Sequence, residues 1–180
     1  MKATGIVRRI DDLGRIVIPK EIRRTLRIHE GDPLEIFTDR EGKVILKKYS
    51  PIGELGSLAG IYADSLSKTL GCTVCITDTD QVIAAAGNGK KELQEMLLSA
   101  ELAEVFQERK TVLKKSSDAE FVAITKDRSE YSEEIISVIL SEGDIAGGVI
   151  FLQKNEKKHF GEMEKKLAAG AADLLGRQLS

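Results

Sequence analysis

Along residues 1–50 the apolar positions come in short β-branched runs, and beyond them such runs alternate with stripes at helical spacing. Ile6-Val7 and Ile16-Val17-Ile18 have strand character, and Asp11-Asp12-Leu13-Gly14 between them supplies turn chemistry, with Gly14 free to take positive φ. This predicts two strands joined by a turn. Pro19 then suits the first turn of a helix, where its missing N–H has no intrahelical partner. Ile22 and Leu26 fall four apart, which predicts one buried stripe with Arg23, Arg24 and Arg27 pointing away from it. His29-Glu30-Gly31-Asp32-Pro33 reads as a turn, and residues 34–37 and 44–46 as a hairpin around Asp39-Arg40-Glu41-Gly42.

Ser50-Pro51-Ile52-Gly53 is a breaker cluster, which places a boundary between domains 1–52 and 53–180 and predicts that the two are closely coupled. Leu55, Leu58, Tyr62, Leu66 and Leu70 then recur at helical spacing, ended by Gly71. Strands are expected at residues 74–76 and 82–84 around a Thr77-Asp78-Thr79-Asp80 turn. Gly87-Asn88-Gly89 follows as a joint into a helix over 90–109; it lacks the further residues of a phosphate-binding loop. Further strands are expected at 111–113, 121–124, 135–140 and 145–152, with Ser141-Glu142-Gly143-Asp144 turning between the last two. A closing helix carries Phe160, Met163, Leu167, Ala171 and Leu174 on one stripe. The fold class this implies is α+β, with a mostly antiparallel sheet in the second domain.

Charge changes this picture by separating the halves. The formal net charge is -2, but residues 1–50 hold 12 Lys+Arg against 8 Asp+Glu, leaving 15 against 21 for the remainder. Only the first part is suited to nucleic acid. At 42% hydrophobic and 31% charged, the chain has the composition of a folded protein. No apolar run approaches a membrane span and no signal-peptide pattern opens it, so a cytoplasmic location is expected. Cys72 and Cys75 form a lone C-T-V-C far from either histidine, so buried thiols facing opposite sides of a strand are expected ahead of a redox pair or a metal site. His29 reads as a surface turn residue. Neither a nucleophile with its base nor a metal constellation can be assembled, so no enzyme and no metal is expected.

The run LGRIVIPKEIRRTLRIHEGDPLEI followed by VILKKYS resembles the AbrB/MazE/SpoVT-type swapped-hairpin domain of transition-state regulators and antitoxins, over residues 1–50. The resemblance implies that two chains interleave their hairpins into one β-barrel dimer. That would supply the core that some fifty residues cannot build alone. The family's DNA-contacting arginines match Arg8, Arg15, Arg23 and Arg24, with Arg9 beside them. A guanidinium fork can bond phosphate oxygens or a guanine edge in pairs and stays charged at any cellular pH.

The element order of residues 53–180, with SEGDIAGGVIFL as its strand-turn-strand, resembles a GAF domain, an antiparallel sheet with flanking helices. Such domains bind cyclic nucleotides, haem or amino acids between sheet and helices, and some bind nothing. Ser116-Ser117-Asp118 and residues 126–131 would lie near that side, but no ligand or cofactor is fixed. Together the resemblances imply a sequence-specific regulator of the sporulation or transition-state type, acting on double-stranded DNA at the bacterial nucleoid, with activation or repression left open. The alternative is an antitoxin whose C-terminal part binds a toxin. Leu58, Ile61, Leu66 and Leu70 on one helix and Leu167, Leu174 and Leu175 on the other spread over more than one stripe. A surplus apolar stripe marks an interface, so the hairpin dimers are expected to pair into a homotetramer through these helices.

Overall fold

The computed structural model describes residues 5–125 and 131–179. The chain divides into two compact units, Met1–Tyr49 and Ser50–Ser180.

In the first unit, α1 (Lys20–Thr25) begins directly after Pro19, and β1 (Leu34–Thr38) pairs antiparallel with β2 (Val44–Lys48), Ile36 opposite Leu46 and Phe37 opposite Ile45. The hairpin turn is held by Asp39, whose Oδ1 accepts from the N–H groups of Glu41 (2.9 Å) and Lys43 (2.8 Å), while Gly42 takes φ 80°. The expected turn at 11–14 is present, with the Gly14 N–H donating to Asp11 O (3.0 Å). The strands expected at Ile6-Val7 and Ile16-Val17-Ile18 are not formed within this one chain. A strand requires a paired edge for its N–H and C=O groups, and among the described residues the ladder of the first unit is that of β1 with β2. The stripe expected on α1 is likewise not buried: the helix has no buried residue and Leu26 is 56% exposed.

The second unit opens with α2 (Pro51–Glu54), so the breaker cluster is a helical turn, capped by Ser50 Oγ accepting from the Gly53 N–H (3.0 Å). Ile52 is fully buried in this unit's core. Then follow α3 (Gly56–Leu70), β3 (Thr73–Thr77), β4 (Val82–Ala86), α4 (Lys90–Leu93), α5 (Ala100–Gln107), β5 (Val112–Lys115), β6 (Glu133–Ser141), β7 (Asp144–Gln153) and α6 (Glu162–Gln178). The strands form one antiparallel sheet in the order β4-β3-β7-β6-β5. The helices α3 and α6 cover one face through small residues, Ala59, Ala63, Ala168 and Ala172, packed on Val74, Ile76, Ile135, Val149 and Phe151. The other face is covered by α4, α5 and the segment 121–125 over Cys75, Ile136, Val138, Ile150 and Leu152. Gly148 is required there, because a Cβ would come within 2.7 Å of the Phe106 ring on α5.

Two expectations fail on this second face. The helix expected over 90–109 is broken between α4 and α5, because Gln94 leaves the helix to serve the edge of the sheet. Its Nε2 donates to Ile83 O (2.8 Å) and its Oε1 accepts from the Ala85 N–H (3.0 Å), filling backbone groups of the edge strand β4. Ser99 then starts α5 afresh, its Oγ accepting from the Leu102 N–H (3.0 Å). Residues 121–124 are not a strand; an isolated bridge between Leu98 and Thr125 fastens this segment instead. Among the described residues no helix is long and apolar enough to cross a membrane.

Candidate nucleic-acid interface

Cations in the first unit fall into two groups according to whether the fold already uses them. Lys43 bonds Asp39 (3.4 Å) and Glu41, and Lys48 bonds Asp32 (3.0 Å), so these lysines complete the hairpin's own electrostatics. Arg15 is intermediate: its Nε donates to Asp11 Oδ2 (2.7 Å) across the 11–14 turn, yet the side chain stays 69% exposed. The backbone N–H of Arg15 and then its guanidinium hold the Asp11 carboxyl below the usual carboxylate range, which keeps the turn's anion charged. Arg8 and Arg9 are exposed on the arm before that turn, and Arg23 and Arg24 are consecutive on α1, Arg24 exposed and Arg23 half-buried. Among the described residues none of these four has an ion pair. Arg27 ends the helix with φ 53°. His29 is exposed in its turn, where its N–H donates to Asp32 Oδ2 (2.7 Å).

The second unit holds a cleft of about 360 Å³ lined by Ser99, Ala100, Glu101, Phe121, Val122, Ala123 and Thr125. Ser116, Ser117 and Asp118 are not among its lining; they form an exposed turn after β5, with Asp118 Oδ2 accepting from the Lys115 N–H (2.8 Å). Of residues 126–131, only Tyr131 lies within the described residues. Two buried side chains, Lys114 and Glu134, are opposed in the register of β5 and β6, and the sequence reading passed over both. They were visible in principle: Glu133-Glu134 heads an otherwise apolar strand, so alternation must send one carboxylate into each face. Glu133 meets His159 on the α3/α6 face (Nδ1 to Oε1 2.7 Å), and Glu134 enters the cleft side. Burial pushes the Glu134 carboxyl up to about 7 against opposing pulls from the Val122 N–H and Lys114. Cys72 and Cys75 are both buried, on opposite faces of the sheet. Burial raises their thiols to about 11 and about 12, which disfavours the reactive thiolate.

Comparison with known proteins bears on both units. Residues 54–180 match the family described as stage V sporulation protein T C-terminal, transcription factor, and residues 7–54 match antidote-toxin recognition MazE, bacterial antitoxin. Stage V sporulation protein T of Bacillus subtilis (strain 168) is 51% identical over 183 residues, covering 99% of each chain. The transition state regulatory protein AbrB of the same organism is 67% identical over 51 residues, which is 28% of this chain and 52% of the relative. Among solved structures, the GAF-B domain of DevS from Mycobacterium smegmatis superposes with a TM-score of 0.56 at 11% identity, over 72% of this chain and 93% of that one. That likeness establishes the fold of the second unit as GAF-like, and the whole is α+β. With the full-length relative and the C-terminal match together, the chain belongs to the stage V sporulation protein T family.

Proposed function

We propose that the chain is a DNA-binding transcription regulator whose first unit works as an interleaved dimer and whose second unit joins those dimers and senses a small-molecule signal. The observation that carries this reading is the first unit's surface. Val7 (85%), Leu13 (70%), Val17 (73%), Ile36 (66%) and Val44 (63%) stand in solvent in the single chain, and Pro19 is the one buried residue among those described there. A second copy of the unit would cover these apolar groups. Arg8, Arg9, Arg15, Arg23 and Arg24 would then project from the shared barrel in two copies, available to phosphate and to base edges. Membership of a family described by its role in transcription, and 67% identity of this segment to a transition state regulatory protein, support the same reading. We assign the chain no catalytic step, and place it in the cytoplasm at the bacterial nucleoid.

The helices α3 and α6 supply the contact between dimers. Ile61 (65%), Met163 (73%), Leu167 (39%) and Leu174 (37%) remain exposed on them, whereas Leu175, expected in the surplus stripe, is fully buried against the sheet and Leu58, Leu66 and Leu70 are half-buried. The antitoxin reading draws only on the match over 7–54, because the remaining residues form a folded sheet with its own core.

Selection of bound fragments from random duplex DNA identifies the operator, and salt-dependent binding to it tests the arginines. Arg15→Ala and Arg23→Ala should each lower the slope of log affinity against log salt by about two units per dimer, one for each copy of the lost phosphate contact. Slopes unchanged in both variants would return these side chains to a structural role.

A further inference from the structure

The Gly87-Asn88-Gly89 joint and the run Lys154-Asn155-Glu156-Lys157-Lys158 are distant in sequence, but the sheet register brings them together. Val74 of β3 lies opposite Ala86, the last residue of β4, and Thr73 lies opposite Leu152 near the end of β7. Both segments therefore leave the sheet at the end where β3 begins. That end is firmly held. Thr73 Oγ1 donates to Asn88 O (2.5 Å) and Ser67 Oγ to Cys72 O (2.7 Å), and a Cβ on Gly87, at φ 93°, would come within 2.7 Å of Cys72 O. Lys154 Nζ sits 5.2 Å from the centre of the Tyr131 ring and 3.8 Å from where a Cβ on Gly89 would stand, and Lys158 Nζ lies 3.4 Å from the same point on Gly71. Two lysine heads of the second segment are thus laid against the loops that flank it, beside Lys90 and Lys91 at the start of α4.

Lys90, Lys91, Lys154, Lys157 and Lys158 are all exposed, and among the described residues none of them has an ion pair. Elsewhere in the unit Lys68 meets Asp64 (2.6 Å), Lys110 meets Glu108 (2.8 Å) and Lys115 meets Glu133 (3.7 Å). Glu92 and Glu156 are the carboxylates beside the five lysines, so this end is positive in a unit whose total charge is negative. Protein interfaces centre on aromatic and aliphatic anchors and are poor in lysine, and a basic membrane-binding segment needs an apolar face beside it. Among the described residues neither segment holds an exposed large hydrophobic. Lysine is a point charge on a flexible stem, suited to phosphate oxygens, whose contacts carry no sequence information. Duplex DNA is the polyanion at hand for a chain whose family is described as a transcription factor. We propose that this lysine-bearing end of the second unit is a further DNA-contacting surface, which holds the phosphate backbone of duplex DNA without reading its bases. It rests on the regulator reading above and adds to the arginines of the first unit a contact they do not supply. The chain enters the second unit at the other end of the sheet, where Ser50 Oγ donates to Asp78 Oδ2 (2.8 Å) just past the last residue of β3. The lysine surface therefore belongs to the second unit itself and does not extend the linker.

The test uses the full-length protein and two duplexes, one no longer than the selected operator and one carrying the same operator inside long flanks. Lys157→Gln with Lys158→Gln removes two cations from the surface. Arg109→Gln with Lys110→Gln removes two from the opposite end of the sheet, where Arg109 Nη1 donates to Gly143 O (2.6 Å). On the long duplex the first variant should lower the slope of log affinity against log salt by about two units for each second unit that touches DNA, while the second variant keeps the wild-type slope. Loss on the long duplex alone assigns the phosphates to the operator's flanks; loss on both, with two differently labelled duplexes held in one complex, assigns them to a second duplex. The surface is overturned if the first variant keeps wild-type slopes on both duplexes, or if the two variants lose slope equally, which marks an effect of net charge. A first variant that loses binding to phosphatidylglycerol vesicles while its DNA slopes stay unchanged also overturns it, in favour of a membrane. Should that variant fail to fold by circular dichroism, Lys90→Gln with Lys91→Gln decides in its place. Wild-type binding to the short duplex beside unchanged slopes in the variants defeats this surface alone, whereas wild-type protein that binds neither duplex defeats the regulator reading as well.

Discussion

In the first unit, hydrophobic side chains stand in water, Val7 at 85% and Ile36 at 66% exposed, while in the second, Glu134 at 0% and Lys114 at 7% sit inside. Both are departures from the rule that apolar groups go in and charges stay out, and they call for different partners. An exposed apolar hairpin is incomplete in area. Two strands with both faces open are marginal alone, and Ile36 opposite Leu46 on one face and Phe37 opposite Ile45 on the other leave this hairpin no dry side. It needs another surface of its own size, which a second copy would supply. The buried Glu134 carboxyl is incomplete in hydrogen bonding instead: its Oε1 accepts from the Val122 N–H (3.1 Å), and its Oε2 has no hydrogen-bond partner. The one chain therefore carries uncovered apolar area in one unit and an unanswered buried carboxyl oxygen in the other.

The largest expected effect breaks the first half of that comparison. Ile36→Glu or Val17→Glu would place a carboxylate in the core of the interleaved dimer proposed above. An uncompensated charge there costs several kcal/mol, about as much as so small a unit has to lose. DNA binding and the first unit's thermal transition should vanish, while the second unit melts as before. A fragment of residues 1–50 carrying Ile36→Glu that stays folded and dimeric, by circular dichroism and light scattering, would refute the buried interface.

Leu174→Glu acts at the next scale. With Leu174 at 37% exposed on α6, the change leaves the core intact and should halve the full-length mass seen in light scattering, from four chains to two. Unchanged mass with native stability would move the contact between dimers off this helix.

How much of this was legible in the sequence depends on where each element finds its partner. Elements closed by local chemistry could be read directly: Pro19 before α1, the turn at Asp39 to Gly42, Gly71 ending α3 at φ 65°, and Glu142 and Gly143 turning between β6 and β7 at φ 50° and 91°. Elements closed at a distance could not. Gln94 carries no signal that it will abandon a helix to bond the edge of β4. The apolar runs at Ile6-Val7 and Ile16-Val17-Ile18 have strand composition but are not strands within the one chain. The arginines became candidates through a family resemblance and not through spacing. Lys114 and Glu134 escaped notice because a charged residue in a strand is ordinarily solvated, and only the register shows them opposed and covered on the same face.

The Glu134 carboxyl sharpens the second half of the comparison through pH. Its folded-state pKa is raised from 4.5 to about 7. Between those values the folded protein therefore holds more proton than the unfolded chain, and stability falls as pH rises through that window. A shift of this size corresponds to about 2–3 kcal/mol of stability lost by neutral pH. Glu134→Gln removes the titration, so its urea stability should be nearly level from about pH 5 to about pH 7 where the wild type declines. Equal slopes in the two proteins would mean that Glu134 is hydrated in solution.

The smallest effect separates the two adjacent glutamates, which alternation sends to opposite faces. Glu133 is as well covered as Glu134, at 2% exposed, yet it is fully answered: its oxygens accept from His159 Nδ1 (2.7 Å) and the Phe160 N–H (2.6 Å), with Lys115 Nζ at 3.7 Å. Burial pushes this carboxyl up, but the Phe160 N–H, His159 and Lys115 together outweigh it and hold the pKa below the ordinary value. The sign is opposite to that of Glu134. Glu133 contributes stability that is present above its unfolded pKa of 4.5 and is lost as pH falls through the lower folded value. Because His159 is 65% exposed, solvent screens its share, and His159→Ala should cost only about 0.5–1 kcal/mol near neutral pH. With one of the opposing pulls gone, burial weighs more heavily, so acid unfolding of the variant should begin at a higher pH than in the wild type. A variant whose acid limb coincides with the wild type's would show that the Phe160 N–H and Lys115 hold Glu133 charged without help from the imidazole.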